Sequence, residues 1–498
     1  MVNYTWTNSD AGNNYWNNAG NWDTDDGTYP DDNGDRAIFD STSTDDCNMN
    51  VTTTIGRLSL DSGYGGTITL NNGLTLDDAG AHGGSVELTD GTIDIQANGF
   101  WVDGDIAVGS TGVFDGSGRT GNMTAKSITN SNGNWSAVGG NTTLNGESGS
   151  GFALKNDGTF THNNGKVIVD NGGSPTHAAV QGGIASSTVG LYDLTIEGAG
   201  TTSQIYGDTK IWRHLECKAS TTTLLRGHLT VEGEILVTGT LNTRFGLVDK
   251  NLTVTQSAQM YDGGILTCNT STISLGSTYA SDYGLNIRDG ATFNGGTGAH
   301  TMGSINVADE AGASLTLTTH VDGTTLDGGM YGAAGLFNCG ASSGITSTSS
   351  LVVFATAQSN SSYNVAIHDK LNDITVNSSG KTIDITTATT ISGDLTITAG
   401  TLDTDSSNNY ALTVTKHIDV TGKLEGRTSA ISCGTMTIRD VAEVSSGGTI
   451  TVTGNDKANS PAGAGYIWRN IETDGTAFAP SAGKVHFSGT DNNGGYIF

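Results

Sequence analysis

Carboxylates set on neighbouring strands are the first chemistry to consider in a chain with 50 Asp and Glu against 22 Lys and Arg. Two acids about 5–10 Å apart can protonate and attack a glycosidic bond. Asp94, Asp103 and Asp105, or Glu232 and Glu234, are spaced for such a role. Nothing in their sequence surroundings separates them from solvated surface acids, so no catalytic residue is assigned. The 10 histidines form no His-Glu-x-x-His helix motif. No Gly-x-Ser-x-Gly elbow sits between a strand and a helix, and no full Gly-x-x-x-x-Gly-Lys-Ser/Thr phosphate loop occurs. Zinc hydrolase, serine esterase and nucleotide-binding chemistry therefore have no sequence support. Cys47, Cys217, Cys268, Cys339 and Cys433 lack any Cys-x-x-Cys spacing. An odd, dispersed set fits buried free thiols better than a disulfide framework or zinc site.

The most unusual local chemistry is Trp212, Arg213 and His214 followed by Arg226 and His228. Cationic and aromatic side chains are sparse elsewhere, so residues 211–228 form a contact-patch candidate. The plainer alternative is a loop packed on the scaffold. Asp clusters such as Asp23, Asp25 and Asp26, or Asp77 and Asp78, read chiefly as turn residues. Structural calcium held by Asp and carbonyl oxygens is a secondary reading, since no EF-hand loop or Gly-Gly-x-Gly-x-Asp array occurs. No other cofactor is expected.

The elements that must position these residues are short strands. Gly occurs 73 times and Pro 4 times, and Thr, Ser, Asn and Asp dominate the rest. Disorder couples low hydrophobicity to high charge and Pro, whereas only 14% of residues are charged. Thr and Val suit pleated surfaces, and Gly, Asn and Asp suit tight turns. One signature recurs, at Leu194-Thr195-Ile196, Leu229-Thr230-Val231, Leu252-Thr253-Val254, Ile374-Thr375-Val376, Leu395-Thr396-Ile397, Leu412-Thr413-Val414 and Met436-Thr437-Ile438. The last four begin 21, 17 and 24 residues apart. Each copy places two apolar residues on one face with Thr between. Intervals near 20 predict one coil of an all-β, right-handed parallel β-helix, each coil burying its inward residues on its neighbours. About 20 coils at ~4.8 Å would give a rod on the order of 100 Å. A string of β-sandwiches would need antiparallel strands every 8–12 residues and is the alternative.

Longer echoes link Leu191–Ile196 to Leu371–Val376, and Ile211–Glu216 to Ile467–Glu472. The expected organisation is a Trp-rich N-terminal cap over 1–60, first coils over 61–133, an irregular insertion over 134–190, a solenoid segment over 191–325, a second insertion over 326–365, and a related solenoid segment over 366–498.

The net charge of −28 argues against nucleic acid and anionic membranes as partners. No run of about 18 apolar residues predicts a membrane span. The start, Met1-Val2-Asn3-Tyr4-Thr5-Trp6, shows no basic and apolar leader. Such a composition without a leader fits a virion surface protein made in the host cytoplasm, with an extracellular or cell-surface setting as the alternative.

The first forty residues crowd Trp6, Tyr15, Trp16, Trp22, Tyr29 and Phe39 among repeated Asn, with Pro30 and Asp35-Arg36-Ala37-Ile38-Phe39 closing the segment. This pattern resembles the opening of bacterial and phage parallel β-helix surface proteins. The resemblance implies a structural cap formed by Trp6, Trp16, Trp22, Pro30 and Phe39 over the apolar end of the first coils, where bare strand edges would otherwise recruit other chains. It further implies a non-enzymatic phage virion protein: capsid decoration, head fibre, or tail fibre or spike component. Homo-oligomers, trimers foremost, other virion proteins and a host-surface glycan are the implied partners. A bacterial adhesin or matrix protein and a polysaccharide-degrading tailspike are the competing assignments. The closing Gly494-Gly495-Tyr496-Ile497-Phe498 is expected to dock on another subunit.

Overall fold

The computed structural model describes all residues except 1, 11, 24–25, 78, 80–81, 97–98, 147–150, 171–178, 182–189, 199, 201, 277–283, 329–334, 369–370, 440, 456–465, 471–477, 481, 489–495 and 498. The described chain is a β-solenoid of stacked parallel coils, a parallel β-helix. The β-sandwich alternative is thereby set aside. Its contacts divide it into two compact units, residues 1–233 with 239–250, and residues 234–238 with 251–498.

In the first unit the chain visits three parallel sheets in turn. A strand such as Thr92–Ile95 points Ile93 and Ile95 inward and Thr92 and Asp94 outward. The pleat enforces this alternation, so one or two apolar residues per strand suffice for a core. Successive coils then stack like on like. Leu58, Val86, Ile106, Ile128, Leu154, Val180, Ile205 and Leu225 lie in one continuous register on the first sheet. All eight are buried. Each contributes about 1.5–3 kcal/mol by leaving water, while the parallel ladder satisfies the backbone. On the second sheet Ile68, Ile93, Phe114, Trp135 and Phe160 form the matching column. The third runs Leu74, Phe100, Met123, Thr142, Val167, Leu194 and Leu215.

Corners follow turn chemistry. Asn132, Asn163 and Asn164 adopt positive φ, which Asn tolerates better than branched residues. At one corner the buried Asn130 donates through Nδ2 to Asn156 Oδ1 of the next coil at 2.7 Å. Gly233 is needed for close approach, because a Cβ there would lie 1.8 Å from the Arg213 carbonyl oxygen.

The second unit repeats the scheme. Leu252, Ile273, His300, Thr324, Val352, Ile374, Leu395, Ile418, Met436 and Trp468 share one column. Its later strands are longer, and Asp373–Ile385 and Leu412–Val420 each run around a corner.

Two expected insertions are corrected by the strand register. Within 134–190, Asn134–Ser136, Asn141–Leu144, Phe152–Asn156 and Lys166–Asp170 pair in parallel with adjacent coils. Within 326–365, Phe337–Cys339, Gly344–Thr346 and Leu351–Phe354 do the same. The Leu-Thr-Ile signature is too narrow a test, since Asn134–Ser136 needs only Trp135 inside. The Ile-Trp-Arg echo is also not a structural one. Trp468 points inward and is buried, whereas Trp212 is partly exposed.

Candidate functional site

The aromatic N-terminal segment forms a packed cluster. Val2–Trp6 pairs parallel with Asp35–Phe39 and antiparallel with Trp22–Asp23. Trp22 meets Trp16, Trp6 and Phe39 edge-on at 4.9, 5.1 and 5.5 Å between centroids. Their polar edges are satisfied. Trp16 Nε1 donates to the Pro30 carbonyl at 3.0 Å, Trp22 Nε1 to the Trp16 carbonyl at 2.8 Å, and Trp6 Nε1 to the Asp45 carbonyl at 3.2 Å. Trp6, Trp16, Trp22, Pro30 and Phe39 are all buried. In this conformation none of these rings offers a face to a glycan.

Acids in this region serve the backbone. Asp35 accepts the N–H groups of Asp31 and Asp32, each at 3.1 Å, and Asp40 accepts that of Thr42 at 2.8 Å. Burial raises the Asp35 carboxyl above its usual range, against the lowering effect of those two bonds. Among the described residues no three His, Cys, Asp or Glu gather to hold a metal ion. Asp25 and Asp78 lie outside the described residues.

The contact-patch residues separate into two groups, one on a strand and one in the turn that follows Thr222–Leu225. Trp212, Arg213 and His214 lie on Thr209–Cys217, which pairs with Leu191–Glu197. Leu191 faces Ile211 but Asp193 faces His214, so one extra residue bulges out at Trp212–Arg213. A bulge re-aims side chains; here two consecutive residues turn outward. Arg213 then grips Asp193, with Nε to Oδ1 at 2.9 Å and Nη2 to Oδ2. The His214 N–H also donates to Asp193 Oδ1 at 3.0 Å. The Asp193 bond holds the Arg213 guanidinium above its ordinary pKa. Lys210 Nζ sits 3.7 Å from the Trp212 ring centroid, and His162 stacks on Tyr192 at 5.1 Å.

Arg226 belongs to the second group. It lies between Tyr206 of the preceding coil and Phe245, 4.2 and 3.8 Å from the two ring centroids. Its Nη1 donates to Gln204 Oε1 at 2.9 Å and to the Tyr206 hydroxyl. Phe152 extends the row, 5.1 Å from Tyr206. Exposed His228 sits at a turn, its N–H donating to Asp208 Oδ1 at 3.0 Å. Cations thus already occupy the ring faces that could stack on a sugar. The arrangement ties coils together and turns guanidinium edges outward.

The carboxylates weighed for catalysis carry ordinary partners. Asp94 accepts Gln96 Nε2 at 2.7 Å, Asp103 accepts Trp101 Nε1 at 2.7 Å, and Asp105 accepts the Ser127 hydroxyl at 2.7 Å. Glu232 pairs with Lys210 at 2.7 Å, and Glu234 accepts the Ser257 hydroxyl at 2.9 Å. Sequence reasoning missed Tyr192, Asp193, Tyr206 and Phe245. Their signal was the coil length, which puts Asp193 one coil before Arg213 and Tyr206 one coil before Arg226.

Compared with family models, curated proteins and solved structures, the chain matches none. Its function must be read from its own geometry. Among the described residues no helix is long and apolar enough to cross a membrane.

Proposed function

We propose that this chain is a non-enzymatic structural protein of a phage virion, acting as a capsid decoration, head fibre, or tail fibre or spike component. The supporting observation is a repeated tie on the outer faces of both units. Arg213 reaches Asp193, Arg427 reaches Asp403 and Arg439 reaches Asp419, each from one coil to the preceding coil. All three use the paired guanidinium geometry that matches a carboxylate. The chemistry of the surface thus reinforces the stack, as a displayed mechanical element requires. Self-association, trimeric symmetry foremost, belongs to this reading, as do contacts with other virion proteins. Quantitative mass spectrometry of gradient-purified particles tests it. A fixed copy number per particle is the expected result. Recovery only in a bacterial cell-wall fraction would replace this reading with the adhesin one.

A further inference from the structure

We infer that Trp101 is the platform of a binding site for a neutral, hexose-containing polysaccharide. The strand Phe100–Val102 buries Phe100 and Val102 and directs Trp101 outward, where it is 51% exposed. Exposed Trp is unusual, because its large apolar surface favours burial. Among the described residues this indole stacks on no other ring and lies under no cation, unlike Trp212, Tyr206 and Phe245. It is nevertheless held in place, since Nε1 donates to Asp103 Oδ1 at 2.7 Å. A ring fixed before binding loses little conformational freedom on contact.

Its neighbours complete the surface. In register with Trp101 lie Thr75 on the preceding coil and Thr124 on the next, with Thr54 and Thr143 beyond them. Hydroxyls therefore flank the indole along the coil axis. Gly73 and Gly99, adjacent on the N-terminal side, carry no side chain to stand beside it. The apolar C–H face of a hexose can lie on the indole while its hydroxyls exchange hydrogen bonds with the threonines. Asp77, Asp103 and Asp105 outnumber the one nearby cation, exposed Lys126 on the next coil, so the surroundings are acidic on balance. That disfavours uronic or sialic acids and selects a neutral chain.

This inference rests on the reading of the chain as an externally displayed protein. Particle composition and sugar binding are separate measurements, so either can fail alone. Affinity electrophoresis of the full chain through gels containing dextran, galactomannan or laminarin, with hyaluronan as the anionic comparator, tests it. At least one neutral polysaccharide should retard the wild type. Trp101→Ala should weaken that retardation roughly tenfold or more, about 1.4 kcal/mol, and Trp101→Tyr should retain part of it. Thermal melts of both variants should match the wild type, because the indole is outside the core. No retardation by any of the three neutral polymers, equal retardation of Trp101→Ala, or stronger retardation by hyaluronan would each overturn the proposal.

Discussion

Arg213 reaches back one coil to hold Asp193 through two parallel hydrogen bonds, and the Asp193 carboxylate is nearly buried while the guanidinium is half exposed. The asymmetry sets the energetics. Arg213→Ala strands a buried carboxylate that keeps only the His214 N–H. Asp193→Ala frees a cation that water can solvate. We expect the first to cost about 1–3 kcal/mol and the second less. Urea midpoints of both variants and of the double variant measure the coupling; equal losses would refute the asymmetry.

The aromatic cluster is expected to dominate the stability of the first coils. Trp22 contacts Tyr4, Trp6, Trp16 and Phe39. Truncation to Ala should cost about 3–5 kcal/mol and expose the first coils to protease. Limited proteolysis with N-terminal sequencing reads this, and an unchanged digestion pattern would show that the cluster is dispensable.

The five cysteines are all buried as thiols rather than disulfides. Burial pushes the Cys217 and Cys433 thiols up to about 12. Native protein should show essentially no reaction with Ellman's reagent, and all five thiols should react in guanidinium. Stability should be indifferent to reductant.

One buried histidine and one half-buried carboxylate predict opposite pH responses. Burial lowers the His300 pKa; Nε2 contacts the Gly295 carbonyl at 2.8 Å and Nδ1 has no partner. The unfolded chain therefore binds its proton first, and stability falls as pH drops below about 6.5. Burial also raises the Asp327 pKa, and Oδ1 lacks a partner. Here the folded chain holds the proton more tightly, so this group favours folding at low pH and loses that contribution as pH rises through its folded pKa. Melting curves from pH 4 to 8 should lose part of their acid slope in His300→Gln. Asp327→Asn should raise the melting temperature at neutral pH and change it little near pH 3.5.

The solenoid was legible because its inward rule is local. Leu229-Thr230-Val231 and Leu412-Thr413-Val414 point both apolar residues inward, as two-residue alternation requires. Strands with a single inward aromatic, such as Trp135 or Phe160, carried too weak a pattern. Trp101 was legible in principle: flanked by Phe100 and Val102, it must face the other way. The bulge at Trp212–Arg213 was not, because register depends on the partner strand. Arg213 and Arg226 looked like one patch along the chain, yet Arg213 stands on a strand bulge and Arg226 in the turn after the next strand. Of the closing residues expected to dock on another subunit, Gly494, Gly495 and Phe498 lie outside those described, and Tyr496–Ile497 pairs with Tyr466–Asn470.

The proposed role places the stacked, laterally tied coils on the surface of a virion. Cryo-electron microscopy of native particles, with gold-labelled antibody against this chain, tests it most directly. Label is expected at fixed, symmetry-related positions on capsid or tail, over density with a ~4.8 Å coil repeat. Unlabelled particles alongside labelled bacterial envelopes would contradict it.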